Sequence, residues 1–393
     1  MLQNFDITII GGSFAGMTTA LALSNVSPNL KIAIVEKLDI LTQDRKRDGR
    51  AYAISAASLK LFKEIGIYDE VAPHGGKISD IKITDYKSSF ILDFIGREVD
   101  AAEGQLGMII ENYHIHNALR DQVLKRENIT VFSPNSYEEI KFGDLVSVKL
   151  DDGKILHSKL LLACDGRFSR LRELYQINTT QKKYFQTAIV FNIEHEKPHE
   201  NIAYEKFLPG GPLAILPLKN PHQSSIVWIA PDQLAQAILS LDEENFIQQL
   251  TKKMENSLGK THLVSDKFSY PLTLIEAEKF YHEKMLLIGD ASCGVHPIAG
   301  QGFNLAISGI NILCELIKNN LLCGFDISSP SLINGYNKKA KFEAKKMLVA
   351  TDILNSLFET KSLSIGVARD LGLGLVNKFT KLKSFFIKSA GGF

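Results

Sequence analysis

The chain has few of the residues that staple a fold, cross a membrane or hold a polyanion. Its 393 residues contain four cysteines, Cys164, Cys293, Cys314 and Cys323. None forms a C-x-x-C pair or stands at metal-ligand spacing from a histidine, so neither a disulfide framework nor a metal site is expected. Reduced thiols in a cytoplasmic protein are the reading that follows. No stretch reaches the roughly 18 apolar residues that a membrane-spanning helix needs. A strand that begins by residue 5 leaves no room for a signal peptide. Lysine and arginine number 45 against 44 aspartate and glutamate, a net charge of +1, and a chain so nearly neutral is not built around nucleic acid. Repeats and low-complexity segments are also missing. What remains is an ordinary globular composition, 45% hydrophobic and 23% charged, in a chain long enough for two domains.

Phe5–Ile10 reads as a buried strand running straight into Gly11-Gly12-Ser13-Phe14-Ala15-Gly16. A helical pattern, Met17–Ser24, follows, then a second strand, Lys31–Val35, closing on Glu36. This is the strand–glycine turn–helix–strand fingerprint of dinucleotide binding. Gly11 permits the turn, Gly16 lets the helix pack close to the strand, and the helix N-terminus receives a pyrophosphate. Glu36 lies 20 residues after Gly16, where an acid accepts hydrogen bonds from an adenosine ribose and repels a 2′-phosphate. The tightly held nucleotide is therefore expected to be FAD or NAD, not NADP. Ser13 occupies the position of the motif's middle glycine.

Arg50, in Asp48-Gly49-Arg50-Ala51, is either a bidentate clamp for a pyrophosphate or a solvated charge before the helical pattern Ala53–Gly66. Ile78–Phe94 alternates apolar and polar residues, predicting antiparallel strands and the start of a second domain. Met108–Ile110 leads into a helix around His114–Arg126, with both His114 and His116 expected at the surface. Ile129–Phe132, Leu145–Leu150 and Ile155–Leu162 are strand-like, with a hairpin turn at Asp151-Asp152-Gly153. The last of them ends on Asp165-Gly166-Arg167, again an acid at a strand's carboxyl end. Tyr184–Trp228 and Phe268–Leu274 carry strands, with a helical pattern at Asp242–Leu258 and a turn at Pro209–Pro212. Phe191, Leu213, Ile215, Leu216, Trp228 and Ile229 either line a substrate pocket or face a sheet core, with the core favoured for each. After a helix over Leu332–Asn355, the basic, apolar tail Leu357–Phe393 suits either an anionic membrane surface or packing on protein.

Met285–Ile288 is a third hydrophobic run that stops abruptly, at Gly289-Asp290. Pro297, Gly300 and Gly302 make a tight loop, and Phe303–Leu322 reads as a long helix. Strand, acid, glycine turn and helix N-terminus again favour a polar, anionic ligand.

Three motifs thus stand in order: GGSFAG with Glu36, CDGRFSRLR at 164–172, and GDASCGVHPIAGQGFNLA at 289–306. Together they resemble the group A flavoprotein aromatic hydroxylases, which share the para-hydroxybenzoate hydroxylase fold. GRAYAIS at 49–55, LGMIIEN at 106–112 and the tail segments ATDILNSLF, ARDLGLGLVN and LKSFFIKSA narrow the resemblance to the ubiquinone-biosynthesis hydroxylases. The implied fold is α/β: a Rossmann-type FAD-binding domain (1–77, 99–180 and 275–345), an inserted antiparallel-sheet substrate domain (78–98 and 181–274) and a helical C-terminal tail (346–393).

The resemblance implies that Gly11, Gly12, Ser13, Phe14, Ala15, Gly16, Glu36 and Lys37 hold the ADP half of FAD. Arg50 would lie near the flavin and pyrophosphate, Asp165 where both FAD and the reductant's pyrophosphate are served, and Asp290 at the ribityl chain, with Gly289 beside it as a further cofactor-binding residue. Pro297, Gly300, Gln301, Gly302, Phe303 and Asn304 would border the flavin ring. His296 and Pro297 are the flavin-proximal candidates for catalysis. Cys293 stands where the family usually carries histidine. The implied activity is NAD(P)H- and FAD-dependent hydroxylation by O2. Its expected substrate is a polyprenylated phenol or quinol of ubiquinone biosynthesis, and the tail would meet a membrane face or a quinone-synthesis complex. No second nucleotide fingerprint is present, so NADPH or NADH is expected to bind transiently. Alternatives are hydroxylation of a small aromatic acid, or a non-catalytic FAD-binding subunit.

Overall fold

The computed structural model describes residues 2–42, 48–85, 91–98, 105–295 and 301–359. Its first layer is a six-stranded sheet in the order Tyr281–His282, Met285–Leu287, Leu160–Ala163, Ile7–Ile10, Ile32–Val35, Ile129–Phe132. Only the Tyr281–His282 edge is antiparallel; the others pair in parallel. Every residue of Ile7–Ile10, Ile32–Val35 and Leu160–Ala163 is buried. That is why these segments read as unbroken apolar runs: a parallel sheet covered on both faces needs side chains buried on both. The helix Phe14–Val26 packs on the helices Asn112–Leu124 and Gln301–Leu322. A four-stranded sheet (Leu2–Asn4, Ile155–Ser158, Val146–Leu150, Tyr137–Lys141) joins the same core through Val146, Val148, Leu150 and Leu156.

A nine-stranded sheet forms the second layer. Its main path runs Cys293–Gly294, Phe268–Ala277, Thr179–His195, Gln223–Pro231, Gly211–Pro217, Ile202–Leu208, Asp80–Asp85, Ile91–Ile95, with Thr261–Leu263 on Thr179–His195. The pairings are antiparallel except Ile202–Leu208 with Asp80–Asp85. Strand side chains alternate between faces, and here the alternation sorts them cleanly. Ile189, Phe191, Leu213, Ile215, Ile226 and Trp228 meet the helix Asp232–Leu239 through Ala235 and Ile238 and the helix Glu243–Lys253 through Phe246 and Leu250. Each such aromatic or leucine contributes about 1.5–3 kcal/mol by leaving water.

A three-stranded sheet (Ala51–Ser55, Gly107–Glu111, Gly76–Ile78) lies between the two layers. Ala51 and Ala53 pack with Ala203 and Leu216 of the large sheet, and Tyr52 with Phe14 and Phe303 on the other side.

Several elements differ from expectation. Ala51–Ser55 is a strand, not the start of a helix, because Gly107–Glu111 offers it a full antiparallel partner; the helix begins at Ala56, capped by the Ser55 hydroxyl. Asp232–Leu239 is a helix that the pattern did not announce. Of the six apolar wall residues, Phe191, Leu213, Ile215 and Trp228 belong to the core under the helices. Leu216 and Ile229 lie on the opposite face, Leu216 packing with Ala51 and Ala53 of the middle sheet and Ile229 with Ala188 and Leu272. His116 is buried rather than at the surface, and His114 stacks on His74 at 3.9 Å. Gly302–Leu322 is long and apolar enough to cross a membrane by composition alone, against the expectation of no such stretch. It carries Glu315 and Lys318, and its Ile310, Leu313 and Ile317 are fully buried in the protein core. Pro330–Glu359 is one continuous helix; the tail beyond it lies outside the described residues.

A candidate cofactor site at the ends of the parallel strands

Four neighbouring strands end at one edge of the parallel sheet, and three of the chains leaving them carry an acid there. Backbone hydrogen bonds hold the exits together: Gly11 N–H donates to Val35 O (2.9 Å), Cys164 N–H to Ile10 O (2.8 Å) and Ile288 N–H to Ala163 O (2.9 Å). Strand order reverses here, since Ile7–Ile10 lies between its sequence neighbour Ile32–Val35 and the distant Leu160–Ala163. In open α/β sheets that crevice is where ligands bind.

The glycines allow the approach. Gly11 has φ +106°, and a Cβ on it would lie 2.4 Å from Cys164 O. A Cβ on Gly16 would lie 1.8 Å from Gly11 O, so the helix sits against the turn at a distance that only glycine permits. Ser13 is the N-cap of this helix, yet its side chain caps nothing and is exposed. The first-turn N–H groups are thus left to a ligand, and the helix dipole favours an anionic one.

The Glu36 carboxylate is buried behind the turn, accepting from Gly12 N–H at 2.6 Å and Leu38 N–H at 2.9 Å. One bond on each oxygen leaves further lone pairs for sugar hydroxyls. Asp165 Oδ2 accepts from Leu171 N–H at 3.1 Å. Its Oδ1 is buried without a partner among the described residues. An acceptor in that state calls for a donor from outside the protein. Asp290 faces Arg167 at 3.5 Å. Its side chain keeps 37% of its surface, yet partial desolvation by the protein around it raises its pKa while Arg167 opposes the rise.

Arg167 also donates to Val295 O (3.2 Å) and lies along Gly294, where a Cβ would come within 2.9 Å of its Nε. Arg172 is buried and joins two of the acid-bearing turns: Nη1 donates to Ala291 O and Nη2 to Arg167 O, each at 2.8 Å. Sequence reasoning gave neither arginine a place in the site. The available signal was a basic run directly after an acid at a strand end.

Other expected residues hold the frame. Phe303 stacks on Phe14 with ring centroids 3.7 Å apart, joining the two helices that meet here. Asn304 Nδ2 donates to Ala53 O (2.9 Å), and its Oδ1 accepts from Ser55 N–H (3.1 Å) and the Ser58 hydroxyl (2.8 Å). Its side chain is thereby committed to locking the middle sheet onto the long helix. Gly289 has φ +63° and fits between Ala15 and Ala306. Gly302 lies beside Asp290, its Cβ direction reaching Oδ1 at 4.0 Å. Lys37 is exposed. Arg50 is ion-paired with Asp48, which also accepts from Asn112, and lies over the Tyr270 ring at 5.6 Å. Burial works to raise the Asp48 pKa, but the hydrogen bonds and charge of Arg50 outweigh it and lower the value. Cys293 is buried, and loss of water with nearby Glu276 and Asp290 pushes its thiol up to about 12. It is therefore neither a thiolate nor a nucleophile at neutral pH. His296, Pro297 and Gly300 lie outside the described residues, as does the side chain of Gln301.

The arrangement is a cradle for a dinucleotide: an uncapped helix for phosphates, a buried acid for a ribose, and two further acids for hydroxyls and amide-type donors. Comparison with known proteins agrees. The FAD binding domain family matches residues 4–351, and the chain belongs to it. The chain is 33% identical to the ubiquinone hydroxylase UbiL of Rhodospirillum rubrum over 98% of its own length and 89% of that protein. It is 29% identical to the ubiquinone hydroxylase UbiM of Neisseria meningitidis, over 100% and 86%. Among solved structures it resembles the p-nitrophenol 4-monooxygenase PnpA of Pseudomonas putida, with a TM-score of 0.77 at 15% identity, covering 98% and 97% of the two chains. That likeness concerns the fold.

Proposed function

We propose that this protein is an FAD-dependent monooxygenase that hydroxylates the ring of a prenylated phenol in ubiquinone biosynthesis. The observation that carries it is the pairing of the three-acid cradle with an apolar sheet face across the Ala51–Ser55 layer. Similarity along nearly the whole chain to two ubiquinone hydroxylases supports the choice of substrate. FAD, once bound and reduced by NADPH or NADH, supplies O2 activation and transfer of one oxygen atom. The chain's own residues do the rest. Gly11–Gly16 and the helix behind them take the pyrophosphate, Glu36 the adenosine ribose, and Asp165 and Asp290 the polar groups between the two ends. Arg167 and Arg172 hold the Asp165 and Asp290 turns in register, and Gly302 brings a second helix N-terminus to the same place.

Segments 78–98 and 181–274 form the substrate domain in this reading. The strands Ile202–Leu208, Gly211–Pro217 and Gln223–Pro231 turn no lysine or arginine toward the middle sheet. Arg50, which reaches this face at Tyr270, is already paired with Asp48. A small aromatic acid would want a free cation, so this face suits a neutral, apolar ring instead. A prenylated substrate partitions into lipid, and the basic, apolar segment 357–393 is the proposed contact with a membrane surface or a partner enzyme.

Deleting the gene and profiling quinones tests the function. Accumulation of an under-hydroxylated prenylphenol is expected, and unchanged ubiquinone would overturn the reading.

A further inference from the structure

Glu205 is a buried acid on the inner face of the nine-stranded sheet that the cofactor cradle does not use. Register places Glu205 beside Ile83 on one side and Ala214 on the other, with Val227 and Val190 next in the row. All lie on the face opposite the two covering helices. Glu205 is 8% exposed, and its carboxyl forms no hydrogen bond or ion pair with any described residue. The adjacent cation cannot serve it: Lys206 points to the opposite face and donates to Met254 O (3.3 Å) and Glu255 (3.1 Å).

Two more unsatisfied acceptors lie on the same face, one row along. Ser225 Oγ and Asn192 Oδ1 are buried without partners among the described residues, while Asn192 Nδ2 donates to Glu111 at 3.3 Å. Ser225 stands two strands and two residues from Glu205, roughly 12 Å between Cα atoms at ordinary sheet spacings. The reach of the glutamate shortens that gap to the width of a substituted ring. The residues flanking Glu205 in its row, Ile83, Ala214, Val227 and Val190, are aliphatic, and a buried polar atom without a partner is costly unless a ligand supplies one.

We propose that Glu205 anchors the ring hydroxyl of the substrate, its carboxyl accepting the hydroxyl's hydrogen bond while Asn192 Oδ1 and Ser225 Oγ accept from a second ring hydroxyl. The inference rests on the prenylphenol reading above and names the group that recognises its ring. Burial alone pushes the Glu205 carboxyl up to about 7. The other titratable groups on or against this face among the described residues include Tyr184, Tyr270, Glu111, the Asp48–Arg50 pair and, at the exposed edge, Glu194; none contributes to that shift. Below about pH 7 the protonated acid can donate to any ring oxygen. Above it the carboxylate only accepts, and so selects a hydroxyl.

The test uses FAD-loaded full-length protein and two probes: a short-chain prenylated phenol and its methyl ether. Binding is followed by perturbation of the flavin spectrum, which also reports that each variant is loaded. The wild type is expected to prefer the phenol about tenfold or more, the scale of a hydrogen bond to a charged group, with the preference growing as pH rises through about 7. In Glu205→Leu the preference is lost. In Glu205→Gln, whose amide both donates and accepts, the pH dependence disappears. Equal affinity of the wild type for the two probes, no binding of either, or an undiminished preference in Glu205→Leu overturns the proposal. Oxygen insertion into the same phenol by the wild type is measured separately. A phenol bound with the expected preference but left unconverted would defeat the hydroxylase reading and leave the anchor standing.

Discussion

Replacing Arg172 by methionine isolates the coupling between the Asp165 and Asp290 turns. The side chain is 6% exposed and gives two 2.8 Å hydrogen bonds, to Ala291 O and Arg167 O. Bonds from a charged donor contribute about 1.5–3 kcal/mol each. Burial works against the guanidinium, lowering its pKa despite nearby Asp165 and Glu173, so part of that gain is offset by desolvation. Methionine fills much of the volume but leaves two carbonyls unpaired. The expected net loss is about 2–4 kcal/mol in urea unfolding of the FAD-free protein. Because the two turns carry the acids of the cradle, FAD affinity should fall as well, by about tenfold, or ~1.4 kcal/mol. Calorimetric titration of FAD reads the second quantity independently of the first. A variant with wild-type stability within about 0.5 kcal/mol and unchanged FAD affinity would show that Arg172 does not couple the two turns, since surface substitutions alone behave that way.

Two glycine substitutions separate crowding from backbone strain. Gly16→Ala puts a methyl 1.8 Å from Gly11 O and should cost at least ~1–3 kcal/mol and abolish FAD retention on gel filtration. Gly166→Ala meets nothing within 4 Å but has φ +82°, so it should cost only about 1 kcal/mol and keep the flavin. Glu205→Gln tests the buried acid through stability. The folded pKa of about 7 lies above the ordinary 4.5, so the folded state binds more protons between these values and wild-type stability falls as pH rises through them. The advantage of Glu205→Gln over wild type should therefore grow by up to about 3 kcal/mol from pH 4.5 to pH 7 in urea melts, then level off. Asp290→Asn removes a carboxyl whose pKa burial raises; the FAD-free protein should melt no lower than wild type, while the rise in melting temperature on adding FAD shrinks.

The cradle was readable in the sequence because its parts are local. A buried parallel strand must be apolar throughout, its exit must turn, and the acids Glu36, Asp165 and Asp290 follow directly at the ends of such runs. Long-range partners decided the rest. Ala51–Ser55 is a strand only because Gly107–Glu111 arrives beside it, which its own residues cannot announce. Phe303 and Asn304 belong to the motif by position, but their side chains turn to Phe14 and to the Ala53–Ser58 segment. Glu205 was invisible for the same reason. In a strand reading IAYEKFL a glutamate looks like a solvent-facing residue until register shows which face is covered by helices. Nor did the sequence separate the apolar wall residues, since adjacent aliphatic side chains on one strand differ only in parity. Ile215 enters the core under the helices, and Leu216 turns to the inner face.

Oxygen transfer to a prenylated phenol on this cradle defines the proposed function. Its most direct measurement is mass spectrometry of a short-chain prenylated phenol incubated with FAD-loaded protein, NADPH or NADH, and isotopically heavy O2. The expected product carries one heavy oxygen atom on the ring. Nicotinamide oxidation with no heavy oxygen in the phenol would contradict it.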